Sequence, residues 1–119
     1  GGSGDIVLGE SCYLNSGTVL YCGNGIKIGN KVLIAANCTL APVNHGILRE
    51  KPISEQPFMN SRGGIVIEDD VWLGANVIVL DGAYISEGCV VGAGSLVSGR
   101  LEPYGIYVGN PLRLVGQRK

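Results

Sequence analysis

Residues 67 to 102 read IEDDVWLGANVIVLDGAYISEGCVVGAGSLVSGRLE, and an aliphatic residue returns at every sixth position: Ile67, Leu73, Val79, Ile85, Val91 and Val97. Three residues after each stand Asp70, Asn76, Gly82, Gly88, Gly94 and Arg100, mostly types that tolerate a left-handed backbone turn. Four residues after each come Val71, Val77, Ala83, Cys89, Ser95 and Leu101, which are mostly small or apolar. A period of six suits neither an amphipathic helix nor an alternating strand. It is a solenoid repeat, in which each unit contributes one short strand and one corner.

The same units begin upstream at Leu8, Leu14 and Leu20, and again at Ile28, Ile34 and Leu40. Between these two sets the rhythm is lengthened by two residues within Tyr21–Lys27, and after Leu40 it breaks until Ile67. Grouping the units by threes gives four triangular coils, with both interruptions at the end of a third unit and therefore stacked at one corner. Coils rise by about 4.8 Å, the strand spacing, so four make a prism roughly 20 Å tall. A β-sandwich would alternate at period two with variable loops, and the constant register excludes it.

Composition bounds the function. The chain has 119 residues, one small domain, with 20 glycines but a hydrophobic fraction of 45%, so it is not a disordered glycine-rich tract. A net charge of −1 gives no electrostatic case for nucleic acid or an anionic membrane. No apolar run approaches the roughly 20 residues needed to span a bilayer, and no signal peptide is visible. A cytoplasmic protein is expected. Cys12, Cys38 and Cys89 fall at the small position of a unit and are expected to be buried free thiols, with Cys22 more exposed. Gly1 to Gly4 reads as a flexible linker, residues 5 to 102 as the solenoid with an inserted loop over 46 to 64, and residues 103 to 119 as a closing segment. In that segment Ile106, Val108, Leu112 and Leu114 are apolar enough to cover the last coil. The first coil has little cover beyond Asp5–Val7, so a preceding segment or a partner is expected there.

The units and the segment IVIEDDVWLGANVIVLDGAYISEGCVVGAGSLVSG resemble the hexapeptide-repeat acyltransferases. More narrowly, LIAANCTLAPVNH, DDVWLGANV and YVGNPLRLV resemble the sugar O-acetyltransferases of the galactoside and maltose type and their polysaccharide-biosynthesis relatives. The resemblance covers Leu8 to Val115. It implies a left-handed parallel β-helix of about four coils, with one long protruding loop and a C-terminal capping segment. It also implies a homotrimer with active sites between subunits, and acetyl-CoA as co-substrate without a metal. The reaction expected is acetyl transfer to a sugar or polysaccharide-precursor hydroxyl. The alternatives are N-acetylation of an amino sugar or antibiotic, and a non-catalytic scaffold.

His45 is the single histidine and ends the unit led by Leu40, where the chain leaves the coil. A hydroxyl attacking a thioester needs a proton acceptor at neutral pH, and imidazole, with an ordinary pKa near ~6.5, suits that task. The family's general base leaves the helix at this loop, and His45 matches it. In the loop Pro52 and Pro57 add stiffness and Ile53, Phe58 and Met59 give it something to dock with, and the resemblance implies an arm that packs on a neighbouring subunit and walls the site. Trp72 is the single tryptophan, at an outward position, and matches the family's pantetheine or acceptor region. Asn15 matches an acceptor-contacting Asn, whereas a nearby acidic position of the family falls on Gly23, beside Asn24. Ala75 and Ala93 match small positions that admit the thioester arm, and a backbone N–H there could stabilise an oxyanion. Ser98, Arg100 and Arg113 fall where the family meets the nucleotide end, Arg100 one residue from a usual Lys. A γ-type carbonic anhydrase shares the fold, but its zinc needs three His ligands.

Overall fold

The structure is a computed structural model that describes residues 4 to 119, so all but Gly4 of the expected N-terminal linker lies outside the described residues. The chain winds through three parallel sheets in fixed rotation. The first sheet holds β1 (Ile6–Leu8), β4 (Ile26–Ile28), β7 (Ile65–Ile67), β10 (Tyr84–Ile85) and β13 (Arg100–Leu101). The second holds β2 (Tyr13–Leu14), β5 (Leu33–Ile34), β8 (Trp72–Leu73), β11 (Val90–Val91) and β14 (Gly105–Val108). The third holds β3 (Val19–Leu20), β6 (Thr39–Ala41), β9 (Ile78–Leu80) and β12 (Leu96–Val97). This is a left-handed parallel β-helix, as expected.

Strands of two or three residues are too short to persist alone, and here each finds its hydrogen-bond partners in the coils above and below. The leading aliphatic residues stack in register: Leu8, Ile28, Ile67, Ile85 and Leu101 on the first sheet. Leu14, Ile34, Leu73, Val91 and Tyr107 do so on the second, and Leu20, Leu40, Val79 and Val97 on the third. From the second coil onward these side chains, with Val32, Cys38, Val71, Val77, Ala83 and Cys89 at the small position, form one continuous buried core. Leu8 and Leu14 stay exposed at the first coil.

The corner grammar is also as expected. Positive φ occurs at Ser11, Lys31, Asn37, Asp70 and Asn76 and at Gly17, Gly82, Gly88 and Gly94, each three residues after a leading residue. At Gly88 there is a second reason for glycine. A Cβ there would lie 2.2 Å from the Tyr104 ring, which packs over the turn from the next coil.

Arg100 is the exception, and it corrects the sequence reading of the last unit. It lies in β13 rather than at a left-handed turn, and Leu101 pairs with Ile85, so Leu101 is a leading residue and not a small-position one. The step from Val97 to Leu101 is four residues. The period of six then runs once more, with Tyr104 at φ 60°, Gly105 at the small position and Tyr107 paired with Val91. The stack therefore has four full coils and two faces of a fifth.

Closure is achieved differently from expectation too. Tyr107, buried among the core residues, and half-buried Leu112 plug the end, while Val108 and Leu114 remain exposed and Ile106 lies on the outer face of β14. The Tyr107 hydroxyl accepts a hydrogen bond from the Glu102 N–H (2.9 Å). The chain then turns back as β15 (Arg113–Gln117), antiparallel to β14. Buried Ser95 fastens this hairpin: its hydroxyl donates to the Gly92 carbonyl (2.7 Å) and accepts from the Gly109 N–H (2.8 Å).

Candidate active site

Both irregular connections, Tyr21–Gly25 and the long excursion after Ala41, join the third sheet to the first, so they share a corner as the spacing predicts. His45 stands at the root of the excursion. Its backbone bridges to Phe58, and the ladder is completed by Gly46 N–H to the Pro57 carbonyl (2.9 Å) and Met59 N–H to the Asn44 carbonyl (2.8 Å). The imidazole and the Phe58 ring lie 4.7 Å apart, centroid to centroid, tilted by 44°. His45 Nδ1 is enclosed without a hydrogen-bond partner. An aromatic face, rather than a carboxylate, holds the ring within a single chain.

Beyond this stem the loop has its own scaffold. Gln56 is buried, its Oε1 accepting the Leu48 N–H (2.8 Å) and its Nε2 donating to the Leu48 (2.8 Å) and Lys51 (2.9 Å) carbonyls. One turn of 3-10 helix, Ile53–Glu55, precedes it. Ile47, Leu48, Ile53, Phe58 and Met59 stay exposed, an apolar surface carried on a loop that is internally fixed.

The other residues singled out from sequence divide between corners. Asn15, Ala75 and Ala93 lie where the second sheet turns into the third, and the Gly94 N–H donates to the Ala75 carbonyl (2.9 Å), so the two alanines belong to adjacent coils of one column. Asn15 is exposed, with its Nδ2 donating to the Ile34 carbonyl (3.0 Å). His45 and Ser98 lie at the next corner, where the third sheet turns into the first. The third sheet therefore separates His45 from Ala75 and Ala93 within one chain.

Trp72 projects from the second sheet, 52% exposed, between Leu33 and Val90 on the neighbouring strands. Beside it lies a cleft of about 330 Å³ lined by Lys31, Leu33, Asp70, Trp72, Val90 and Arg118, with Arg118 and Asp70 paired at 2.9 Å. Arg113, on β15, is exposed on that sheet's edge strand. Arg100 is on the first sheet instead, its guanidinium 4.1 Å from the centroid of the Tyr84 ring. The Tyr84 hydroxyl donates to Glu68, whose other oxygen accepts the Glu87 N–H (2.9 Å). The Tyr84 hydroxyl, then the Glu87 N–H, hold the Glu68 carboxyl below its ordinary value, and the Glu68 carboxylate holds the Tyr84 phenol above its own.

The sequence reading missed Glu68 and Tyr84, which sit one coil apart at adjacent outward positions and become partners only through the β7–β10 register. Among the described residues no group of three or more His, Cys, Asp or Glu is arranged to hold a metal ion. No helix among them is long and apolar enough to cross a membrane.

These features define a class: a coil of hexapeptide units whose single histidine emerges where the coil is interrupted. Two family models match it, the bacterial transferase hexapeptide (six repeats) over residues 64–99 and the hexapeptide repeat of succinyl-transferase over residues 6–42. The chain belongs to the hexapeptide-repeat acyltransferase family. It is 34% identical over 115 residues to a galactoside O-acetyltransferase of Lactococcus lactis, covering 92% of this chain and 52% of the relative. It is 43% identical over 116 residues to a chloramphenicol acetyltransferase of Klebsiella aerogenes, covering 95% and 51%. Among solved structures, a hexapeptide-repeat acetyltransferase from Vibrio cholerae in complex with acetyl coenzyme A superposes with a TM-score of 0.87 at 31% identity. That match covers 96% of this chain and 61% of the other. The chain thus spans about half the length of these curated relatives.

Proposed function

We propose that this chain is an acetyl-CoA-dependent O-acetyltransferase acting on a sugar or polysaccharide-precursor hydroxyl, with His45 as general base and direct transfer. The observation that carries this reading is the placing of His45. The only imidazole in the chain stands at the corner where the chain leaves the coil, against the Phe58 ring and with Nδ1 enclosed, leaving Nε2 to exchange a proton with an acceptor. The names of the relatives support the reaction class, and the acetyl coenzyme A in the Vibrio protein supports the donor.

In the reaction, Nε2 takes the proton of the acceptor hydroxyl as its oxygen attacks the thioester carbonyl. The tetrahedral intermediate collapses to the acetyl ester, and the departing CoA thiolate takes the proton back from the imidazolium. Backbone groups at Ala75 and Ala93 accommodate the thioester arm, where an N–H would meet the developing oxyanion. Trp72 contributes an aromatic wall, Asn15 contacts the acceptor, and Ser98, Arg100 and Arg113 serve the nucleotide end.

The separation of His45 from the alanine corner supports a homotrimer in which one subunit supplies His45 and the next supplies Ala75 and Ala93. Exposed Tyr13, Leu33 and Trp72, aligned on adjacent strands of the second sheet, give copies an apolar surface to share. Four unpaired cysteines accord with the reducing cytoplasm as the working compartment. The test is thiol release from acetyl-CoA with galactosides, maltose, amino sugars and chloramphenicol as acceptors. Acetylation of a sugar hydroxyl supports the reading, and release with none of them overturns it.

A further inference from the structure

Asp81 is the most deeply buried carboxylate of the described residues, 2% exposed, and follows directly on β9. Its Oδ2 accepts the Arg62 N–H (2.9 Å) and the Asn24 Nδ2 (3.3 Å), and its Oδ1 accepts the Gly64 N–H (2.9 Å). No cation pairs with it among the described residues. An enclosed carboxylate is costly unless donors meet its lone pairs, so these three bonds make the arrangement tight. The Asn24 backbone N–H in turn donates to the Pro42 carbonyl (3.0 Å). Pro42 is where the long excursion begins, and Arg62 to Gly64 is where it returns. Asp81 therefore holds the returning end of the loop directly and reaches its entry through Asn24. Gly64 seals this junction, since a Cβ there would meet the Gly25 carbonyl oxygen at 2.5 Å.

We infer that Asp81 is a positioning residue for His45, acting by pinning the entry and exit of the loop that carries it; this rests on the reading of His45 as the general base. The path is short. Pro42 is three residues before His45, and the irregular segment that ends at Arg62–Gly64 begins with Pro57, Phe58 and Met59, whose backbone bridges the chain at His45. With Asp81 removed, the returning segment loses its anchor, Phe58 shifts, and the imidazole loses the ring that lies against it. A base displaced by about 1 Å can lose about 10²-fold in rate while distant binding contacts persist.

Asp81→Asn is the variant of choice, because it keeps the shape but turns an N–H donor toward Arg62 N–H and Asn24. With acetyl-CoA and a reactive acceptor from the panel above, and below the melting temperature, kcat falls at least about tenfold while the KM for acetyl-CoA stays within about threefold. A purely structural Asp81 would lower the melting temperature and leave kcat alone. Diethylpyrocarbonate gives a readout independent of turnover, because His45 is the only histidine: its modification in the free protein accelerates several-fold in the variant. Unchanged kcat and an unchanged modification rate overturn the inference. Should Asp81→Asn fail to fold, Asn24→Ala removes one bond of the three and shifts both readouts in the same direction by less, and no shift there also overturns it. If the wild-type chain transfers no acetyl group, the functional reading fails on its own, and the modification rates still decide whether Asp81 holds His45.

Discussion

The Phe58 ring lies against the His45 imidazole at 4.7 Å between centroids, while the imidazole Nδ1 is enclosed without a hydrogen-bond partner. The contact joins the two sides of the loop stem at the point where the chemistry is proposed. Replacing Phe58 with Ala leaves the stem's backbone bonds in place but frees the imidazole to rotate. We expect kcat to fall about 10-fold or more with the KM for acetyl-CoA nearly unchanged, as for loss of orientation rather than of binding. Steady-state kinetics with both substrates varied would show it, and a rise in KM alone would assign Phe58 to binding.

The cysteines should react in an order set by their places in the coil. Cys22 is exposed and Cys12 half-buried, whereas Cys38 and Cys89 are buried and their thiols are pushed above the ordinary value by that burial. Titration with an aromatic disulfide at neutral pH should consume Cys22 first and Cys12 more slowly, and reach Cys38 and Cys89 only on unfolding. Four rapid equivalents from the native protein would mean that the core is not closed.

Much of the fold was legible because a β-helix is written residue by residue. Aliphatic residues at Ile67 and its successors set the core, and turn types such as Asp70 and Asn76 set the corners, so the register of twelve strands followed from spacing. The restart at Leu101 was not legible, because a four-residue step hides the phase and Tyr107 breaks the aliphatic rule when it fills the open end. His45 stood out as a lone imidazole at the break in the rhythm. Asp81 and Gln56 did not, since the burial of a single polar side chain depends on the groups that meet it, and Asn24 lies 57 residues from Asp81. The sharing of a site between copies, proposed above, is not written in any local pattern.

The Glu68–Tyr84 pair makes stability depend on pH at both extremes. The Glu68 carboxyl is lowered, chiefly by the Tyr84 hydroxyl, so its contribution is present above the ordinary Glu range and is lost as pH falls through the lowered value. The Tyr84 phenol is raised, chiefly by Glu68, so its contribution is present below the ordinary Tyr value and is lost as pH rises through the raised one. The contribution is therefore whole between about pH 5 and about pH 9, from the ordinary values of the two groups. Tyr84→Phe should lower the melting temperature slightly at pH 7 and less at pH 3. An equal drop at both would disconnect the hydroxyl from Glu68.

Subunit mixing tests where the site is assembled. On the proposed division of the site, His45→Ala and Ala93→Trp each remove one half of it, and both should be inactive alone. Dissociated together at equal ratio and allowed to reassemble into cyclic trimers, they should regain about a quarter of wild-type activity, because that share of interfaces pairs an intact His45 with an intact alanine corner. No recovery from trimers shown by mass to be mixed would place the whole site within one chain.

The central claim is that His45 removes the acceptor's proton, and its most direct test is acetyl transfer by His45→Ala beside its affinity for CoA. Turnover, followed as thiol release, should fall by about 10²–10⁴-fold, the range of a positioned base, while the Kd for CoA stays close to that of the wild type. Turnover near the wild-type rate in that variant would contradict the account.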